Sequence, residues 1–361
     1  QEPSGVRIMA YTTIDDPSKY FQTAIYSGTG STRNITNDGN SDLQPDFAWI
    51  KSRDTTSNHN LFDSSRGVTK RVLSNSTDVE DTLTAFSHFL SDGFTITGSP
   101  LNDSGSTWVA WQWKCNGGTR TTNTESGDNP AGGYQANTTA GFSIVDWTGT
   151  GGAGGLMAHG LGAVPNVIIT KTRSHANSWA VYHHRNTAAP ETDYLKLDST
   201  AATLDNVNRW NDTVPTSTNL VFGDVGGVNG NDQTQIAYVF TEIKGFSKFG
   251  SYIGNGNNNG PFLYTGFKPA LFFRKRTDGA NNWNIWDNKR TPFNEMHASS
   301  AINTADAEDA NTDYNDIDFL SNGIKIHDTG DSHNGSDMNY VYGAFAEHPF
   351  VSSEGVPCTA R

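Results

Sequence analysis

Charge is scarce in this chain. Only 17% of its 361 residues are charged, and basic residues are the minority, 25 Lys and Arg against 38 Asp and Glu. A net charge of −13 leaves no basic face to displace the counterions of a duplex, so a nucleic-acid role is excluded. The same imbalance argues against binding to anionic lipid. Cysteine is nearly absent. Cys115 and Cys358 form no metal motif and could pair only if the first third of the chain meets its C-terminal tail. No apolar run reaches the roughly 18 residues of a membrane helix. Helical periodicity is almost missing: Asp78-Val-Glu-Asp-Thr-Leu, echoed at Thr304-Ala-Asp-Ala-Glu, reads as one or two turns at most. There is no Gly-x-Ser-x-Gly elbow, phosphate loop or dinucleotide fingerprint, so no cofactor is called for and the chain reads as non-enzymatic. The N-terminus lacks a signal-peptide core. Met9-Ala-Tyr reads like a translation start, which makes residues 1–8 an upstream extension.

What is abundant is glycine, with 37 residues, and one pattern that occurs three times. Pro45 and Lys51, Pro165 and Lys171, and Pro269 and Lys275 share a spacing of six residues. They precede the basic residues Arg53, Arg173 and Arg276. Upstream lie Tyr26-Ser-Gly-Thr-Gly, Trp147-Thr-Gly-Thr-Gly and Tyr252-Ile-Gly-Asn-Gly. Downstream, His59, Trp179 and Trp283 keep the same frame, and so do Asp63, His183 and Asp287 four residues on. Each copy closes on an aromatic strand: Trp108 to Trp113, Ile236 to Phe240, and Tyr340 to Phe345. Landmarks holding one frame across three copies define internal repeats. Repeat one spans 20–117, repeat two 141–243 and repeat three 247–350. An N-terminal segment (1–19), a Gly/Thr-rich linker (118–140) and a C-terminal tail (351–361) complete the chain.

Short apolar runs rich in β-branched and aromatic residues, with turn signals every 8–15 residues, predict an all-β fold. Three tandem jelly-roll or concanavalin-like β-sandwiches are the expectation. In the strand at Trp108, alternation puts Trp108, Ala110 and Gln112 on one face and Val109, Trp111 and Trp113 on the other. Glycine then supplies the positive φ of many tight turns.

Trp283, Trp286 and Asp287, with Trp179 and His183 at matching positions, are the candidate binding residues. Aromatic rings could stack on a pyranose while carboxylates bond its hydroxyls; the alternative is that they contact another subunit or fill the scaffold. Lys51, Lys171 and Lys275 with their neighbouring arginines could line a basic groove, or pair with Asp63 and Asp287. His183, His184, His159 and His175 form the densest histidine group, yet adjacent strand residues point to opposite faces, so no metal site is predicted. Asp328, Asp331, Asn334 and Asp337 offer oxygen ligands for Ca²⁺ or are solvated turn residues.

Met9-Ala-Tyr-Thr-Thr-Ile-Asp-Asp-Pro-Ser-Lys-Tyr-Phe-Gln, Trp111-Gln-Trp-Lys, Gly250-Ser-Tyr-Ile-Gly-Asn-Gly-Asn and Tyr264-Thr-Gly-Phe-Lys-Pro share one pattern. Ala344-Phe-Ala-Glu-His-Pro-Phe and Glu354-Gly-Val-Pro-Cys-Thr-Ala-Arg complete it. Together they resemble uncharacterised virion structural proteins of marine tailed bacteriophages, of the cyanophage and pelagiphage kind. The resemblance implies a virion surface protein of tail-fibre or tail-associated type that helps attach to host glycan. It implies other virion proteins as partners and a homo-oligomer, a trimer above all. A capsid decoration protein and a tail polysaccharide-degrading enzyme are the alternatives.

Overall fold

The computed structural model describes residues 10–310 and 317–359. The proposed upstream extension, 1–8, lies outside the described residues. The fold is nearly all β, and the ladders between named strands are antiparallel.

Each repeat builds one large sheet with the same strand order. In the first, Phe21–Ser27 pairs with Thr107–Trp113, followed by Phe47–Ser52, Asn60–Asp63, Lys70–Leu73 and Asp81–Thr82. In the second, Phe142–Thr148 pairs with Thr234–Phe240, then Val167–Thr172 and Ala180–His183. In the third, Ser247–Ile253 pairs with Asn339–Pro349, then Phe267–Arg276, Asn284–Asp287 and Ser299–Ala301. Register fixes the equivalence. Phe21 and Phe47 flank Trp113, Phe142 and Val167 flank Phe240, and Ser247 and Leu271 flank Phe345. A smaller sheet accompanies each, built on Phe94–Ile96, Asn219–Phe222 and Gly323–Ile326.

Alternation decides where each side chain goes. Trp108 and Ala110 face the first repeat's own small sheet and pack with Ile35, Phe62, Phe86 and Phe94. Val109, Trp111 and Trp113 point the other way. They enter a second core that also contains Ile144, Tyr238 and Phe240 of repeat two and Leu271, Trp283 and Phe345 of repeat three. The three large sheets therefore stand side by side around one shared apolar core. Burying each large aromatic contributes about 1.5–3 kcal/mol, so the shared core is a major part of what holds the repeats together.

Two sequence expectations need correction. The Gly/Thr-rich stretch 118–140 is not a free linker: Thr121–Asn123 and Ala131–Asn137 extend the second sheet beyond Phe142–Thr148. Gly132 is there because a Cβ would lie 2.1 Å from the Asp146 carbonyl oxygen. The segment at Asp78 is not helical either; it is extended and ends in the strand Asp81–Thr82. Among the described residues the α-helix is Val207–Trp210, capped by the Asn206 side chain on Asn208 N and closed by left-handed Asn211.

Described residues flanking the repeats are tied to them and to each other. Thr12 Oγ1 donates to the Lys244 carbonyl at 2.9 Å, and Ser353 N donates to Asp15 Oδ1 at 2.6 Å. Among the described residues no helix is long and apolar enough to cross a membrane.

Candidate functional site

The repeated polar residues meet at three seams, each formed by one repeat and the next around the shared core. An arm from one repeat crosses to its neighbour by two backbone bonds. Asn177 N donates to Thr77 O and Glu80 N to Arg173 O between repeats one and two. Asn281 N donates to Thr200 O and Thr203 N to Thr277 O between two and three. Ser57 N donates to Ala305 O and Glu308 N to Arg53 O between three and one. The ring is closed.

The frame residues seal these crossings. Trp179 Nε1 donates to the Leu73 carbonyl at 2.8 Å, Trp283 Nε1 to that of Lys196 at 2.9 Å, and His59 Nε2 to that of Ala301 at 3.0 Å. Lys171 Nζ reaches Thr77 O at 2.8 Å and Lys275 Nζ reaches Thr200 O at 3.1 Å, both across a seam. Lys51 Nζ instead stays within its repeat, on Ser52 O and Thr55 O. Burial pushes the lysines down, to about 8 for Lys51 and Lys171 and about 7 for Lys275.

The expected lysine–aspartate pairing is therefore replaced. Asp63 is paired with Arg66 and accepts from Tyr238 Oη at 2.8 Å. Arg66 goes on to Glu80 at 3.1 Å, and Glu80 to Arg173 at 2.8 Å. The same chain recurs between repeats three and one. Asp287 is paired with Arg290 and accepts from Trp111 Nε1 at 3.0 Å; Arg290 reaches Glu308 at 3.1 Å, and Glu308 reaches Arg53 at 2.9 Å. Between repeats two and three every member is neutral. His183, Asn186, Thr203 and Thr277 stand where the others have Asp, Arg, Glu and Arg. His183 donates to Tyr342 O at 3.1 Å, and Thr203 Oγ1 donates to Asn186 Oδ1 at 2.7 Å. Burial holds His183 neutral, at about 3, against the opposing effect of its bond to Tyr342.

The predicted binding residues thus lie inside. Trp179, Trp283, Trp286, Asp287 and His183 are all at most 1% exposed. Trp179, Trp283, Asp287 and His183 sit at the seams, where they bond the neighbouring repeat rather than face solvent. Trp286 stands apart, in the third repeat's own core, with the Arg274 guanidinium 5.4 Å from its ring. Arg53 and Arg173 are committed to Glu308 and Glu80, and Arg276 to Asp278, so they form no common groove. The seam roles of Glu80, Glu308, Arg66, Arg290, Trp111 and Tyr238 escaped sequence reading; the Arg three residues after each seam aspartate was the available signal for two of them.

The histidines do not converge. His184 bonds Phe249 O at 2.9 Å and His159 bonds Thr216 O at 3.2 Å. Among the described residues no group of three or more His, Cys, Asp or Glu could hold a metal. In the acidic loop, Asn334 Nδ2 binds Asn255 Oδ1, Asn257 O and Asp328 O, each at 2.8 Å, so it knits the loop. Cys115 is buried and Cys358 half-buried, both as free thiols.

No curated protein and no solved structure matches the chain. One family model, described as Domain of unknown function (DUF7483), matches residues 16–349. That span holds the seams and all three repeats but for the last residue of the third, and the chain belongs to this family.

Proposed function

We propose that the chain is a non-enzymatic protein of a tailed-phage virion surface, tail-fibre or tail-associated, that contributes to attachment to host glycan. Each repeat is read as a jelly-roll or concanavalin-like sandwich, its large sheet packed on its small one. The observation that carries the reading is the closed ring of seams. The repeated polar side chains are spent on joining repeats, which suits a rigid scaffold that presents variable loops. The virion location in this reading rests on the resemblance of the segments quoted above to phage virion proteins. Other virion proteins are the expected partners, and a trimer the expected oligomer, with affinity gained through multivalency.

Capsid decoration is the second reading. It is favoured by the side-by-side packing, because three like units around one axis make a block rather than a rod, and a block could seat on a local threefold of a shell. Cryo-electron microscopy of the virion tests both. Density for this chain on the tail supports the first reading and density on the capsid the second. Density inside the particle, or none, overturns both.

A further inference from the structure

One sheet edge is left open where its counterpart is closed. In repeat two, Ala131–Asn137 pairs along the strand Phe142–Thr148, with Gln135 opposite Ile144, Gly133 opposite Asp146 and Ala131 opposite Thr148. Register makes Phe249, Ser251 and Ile253 the matching residues of repeat three. Their strand, Ser247–Ile253, ends its sheet with no strand beyond it among the described residues. Bonds from Ala346 N to Phe246 O and from Gly254 N to Met338 O turn its even-numbered residues toward the inner strand. The odd-numbered residues therefore aim their N–H and C=O groups outward.

Phe249 is already served by repeat two. Its carbonyl bonds His184 Nε2 at 2.9 Å, and its N–H donates to Glu242 at 3.4 Å. The backbones of Ser251 and Ile253 have no such partner among the described residues. The edge lines a groove made of two hollows of about 500 and 510 Å³, which share Ser251 and Arg185. Charge, proline and bulges usually protect an edge, and the stretch from Gly250 to Ile253 has none of them. Ile253 is 61% exposed, at the position where repeats one and two have Ser27 and Thr148. In repeat one the edge is partly closed, because Arg33 Nη1 takes the matching carbonyl, that of Ser27, at 2.9 Å.

We infer that this edge accepts an extended strand of another protein, seated antiparallel as Ala131–Asn137 sits on Phe142–Thr148, and that the strand reads apolar–glycine–acidic. The pairing fixes each position. The first residue lies opposite Ile253, where an exposed isoleucine favours an apolar partner. The second, opposite Tyr252, takes the place of Gly132, where a Cβ would lie 2.1 Å from the carbonyl oxygen of the strand beneath. The third, opposite Ser251, points to the side of the sheet where Arg185 stands. Arg185 is exposed and forms no ion pair among the described residues, so a carboxylate complements it. At the covered edge the charges are reversed: Asp146 belongs to the edge and Arg120 to the covering hairpin, 2.6 Å apart. A second copy is the poorer occupant, since two such short edges bury little and each copy carries a charge of −13.

The test is amide NMR of the full chain titrated with the capped peptide Thr-Val-Gly-Asp-Thr. The Ser251 and Ile253 amides are expected to shift. The same peptide N-methylated at Val and Asp, whose N–H groups would face the edge, should not bind. Arg185→Gln should weaken the peptide about two- to fivefold, the range of an exposed ion pair, and leave a version with Asn for Asp unaffected. No shift at Ser251 and Ile253, equal binding of the N-methylated peptide, or full affinity in Arg185→Gln would overturn the inference. Sedimentation of the chain alone checks the other occupant. A monomer, or an oligomer unchanged by Ile253→Lys, is expected; an oligomer lost in Ile253→Lys would assign the edge to a second copy and overturn the inference too.

Discussion

His183 donates its Nε2 hydrogen to the carbonyl oxygen of Tyr342 at 3.1 Å, where Asp63 and Asp287 instead accept from Tyr238 and Trp111. Donor and acceptor have changed sides across one seam. The aromatic donor is gone, because register places Gly343 where Trp111 and Tyr238 stand. The residue three positions on has changed as well, from Arg66 and Arg290 to Asn186. A carboxylate needs a cation beside it once buried; a neutral imidazole does not.

His183→Asp should therefore be strongly destabilising. The new carboxylate would face a carbonyl oxygen with no buried arginine bonded to it of the kind Arg66 and Arg290 supply, and breaking a buried pair in this way costs about 3–5 kcal/mol. Adding Asn186→Arg restores the pairing seen at Asp63 and should return part of the loss. Urea denaturation of the parent, the single and the double variant measures this. A single variant as stable as the parent, or a double variant weaker than the sum of its parts, would count against the exchange.

Removing one charged member of the other seams should behave differently from removing all. Glu80→Thr leaves the Arg66 side chain, which is fully buried, with Asp63 as its one paired carboxylate and frees Arg173. About 3 kcal/mol of destabilisation is expected, the low end for a broken buried pair. Changing Asp63, Arg66, Glu80 and Arg173 together to His, Asn, Thr and Thr copies the neutral set and should cost less than Glu80→Thr alone. Equilibrium unfolding of the two variants decides; the reverse order would sink the claim that the set works as a unit.

Acid should weaken the fold through its buried histidines. His59, His183 and His333 are all held below the ordinary histidine range by burial, with Lys51 adding to this at His59 and Arg274 at His333. Each is neutral in the folded chain and binds a proton once unfolded. The histidine contribution is therefore full above about pH 6.5, the free-histidine value, and is lost as pH drops toward 3, where His183 itself titrates. Each such histidine steepens the fall by about 1.4 kcal/mol per pH unit. Unfolding free energies at pH 7.5, 6.5 and 5.5 should decline across the last step, and a flat profile would contradict neutral burial.

The repeat was legible because its landmarks are the seam-forming residues. The Lys51, Trp179 and Asp287 positions recur since each must bond a neighbour or hold a fixed place beside one. The face assignment of Trp108 against Trp111 was legible too, because a strand alternates strictly and both faces are apolar. The partners of those residues were not. Glu80 and Glu308 match Thr203, so the third copy hides the arm in a neutral residue. The Asp78 segment mimics a helix start in composition, yet its backbone is drawn straight by the bond from Glu80 N to Arg173 O, 93 positions away. Gly132 reads as linker glycine, although it serves close approach of two strands. Local sequence cannot distinguish these cases, because the deciding atom lies in another repeat or strand.

Gly343 gives the sharpest test of how the shared core is filled. Across the first sheet Trp111 lies between Thr23 and Trp49, and across the second Tyr238 lies between Ile144 and Ile169. In the third the order is inverted, with Gly343 between Phe249 and Phe273. The flanking rings have taken the space of the missing aromatic: a Cβ on Gly343 would lie 2.3 Å from Phe273 Cζ and 3.0 Å from Phe249 Cδ1. Gly343→Ala should overpack this row and cost about 1–3 kcal/mol. Phe273→Ile copies the second repeat, makes room for the methyl, and should cost less in the Gly343→Ala background than in the parent. A double-mutant cycle by thermal or urea unfolding reads that coupling, and simple additivity would mean that the two residues do not compete for one space.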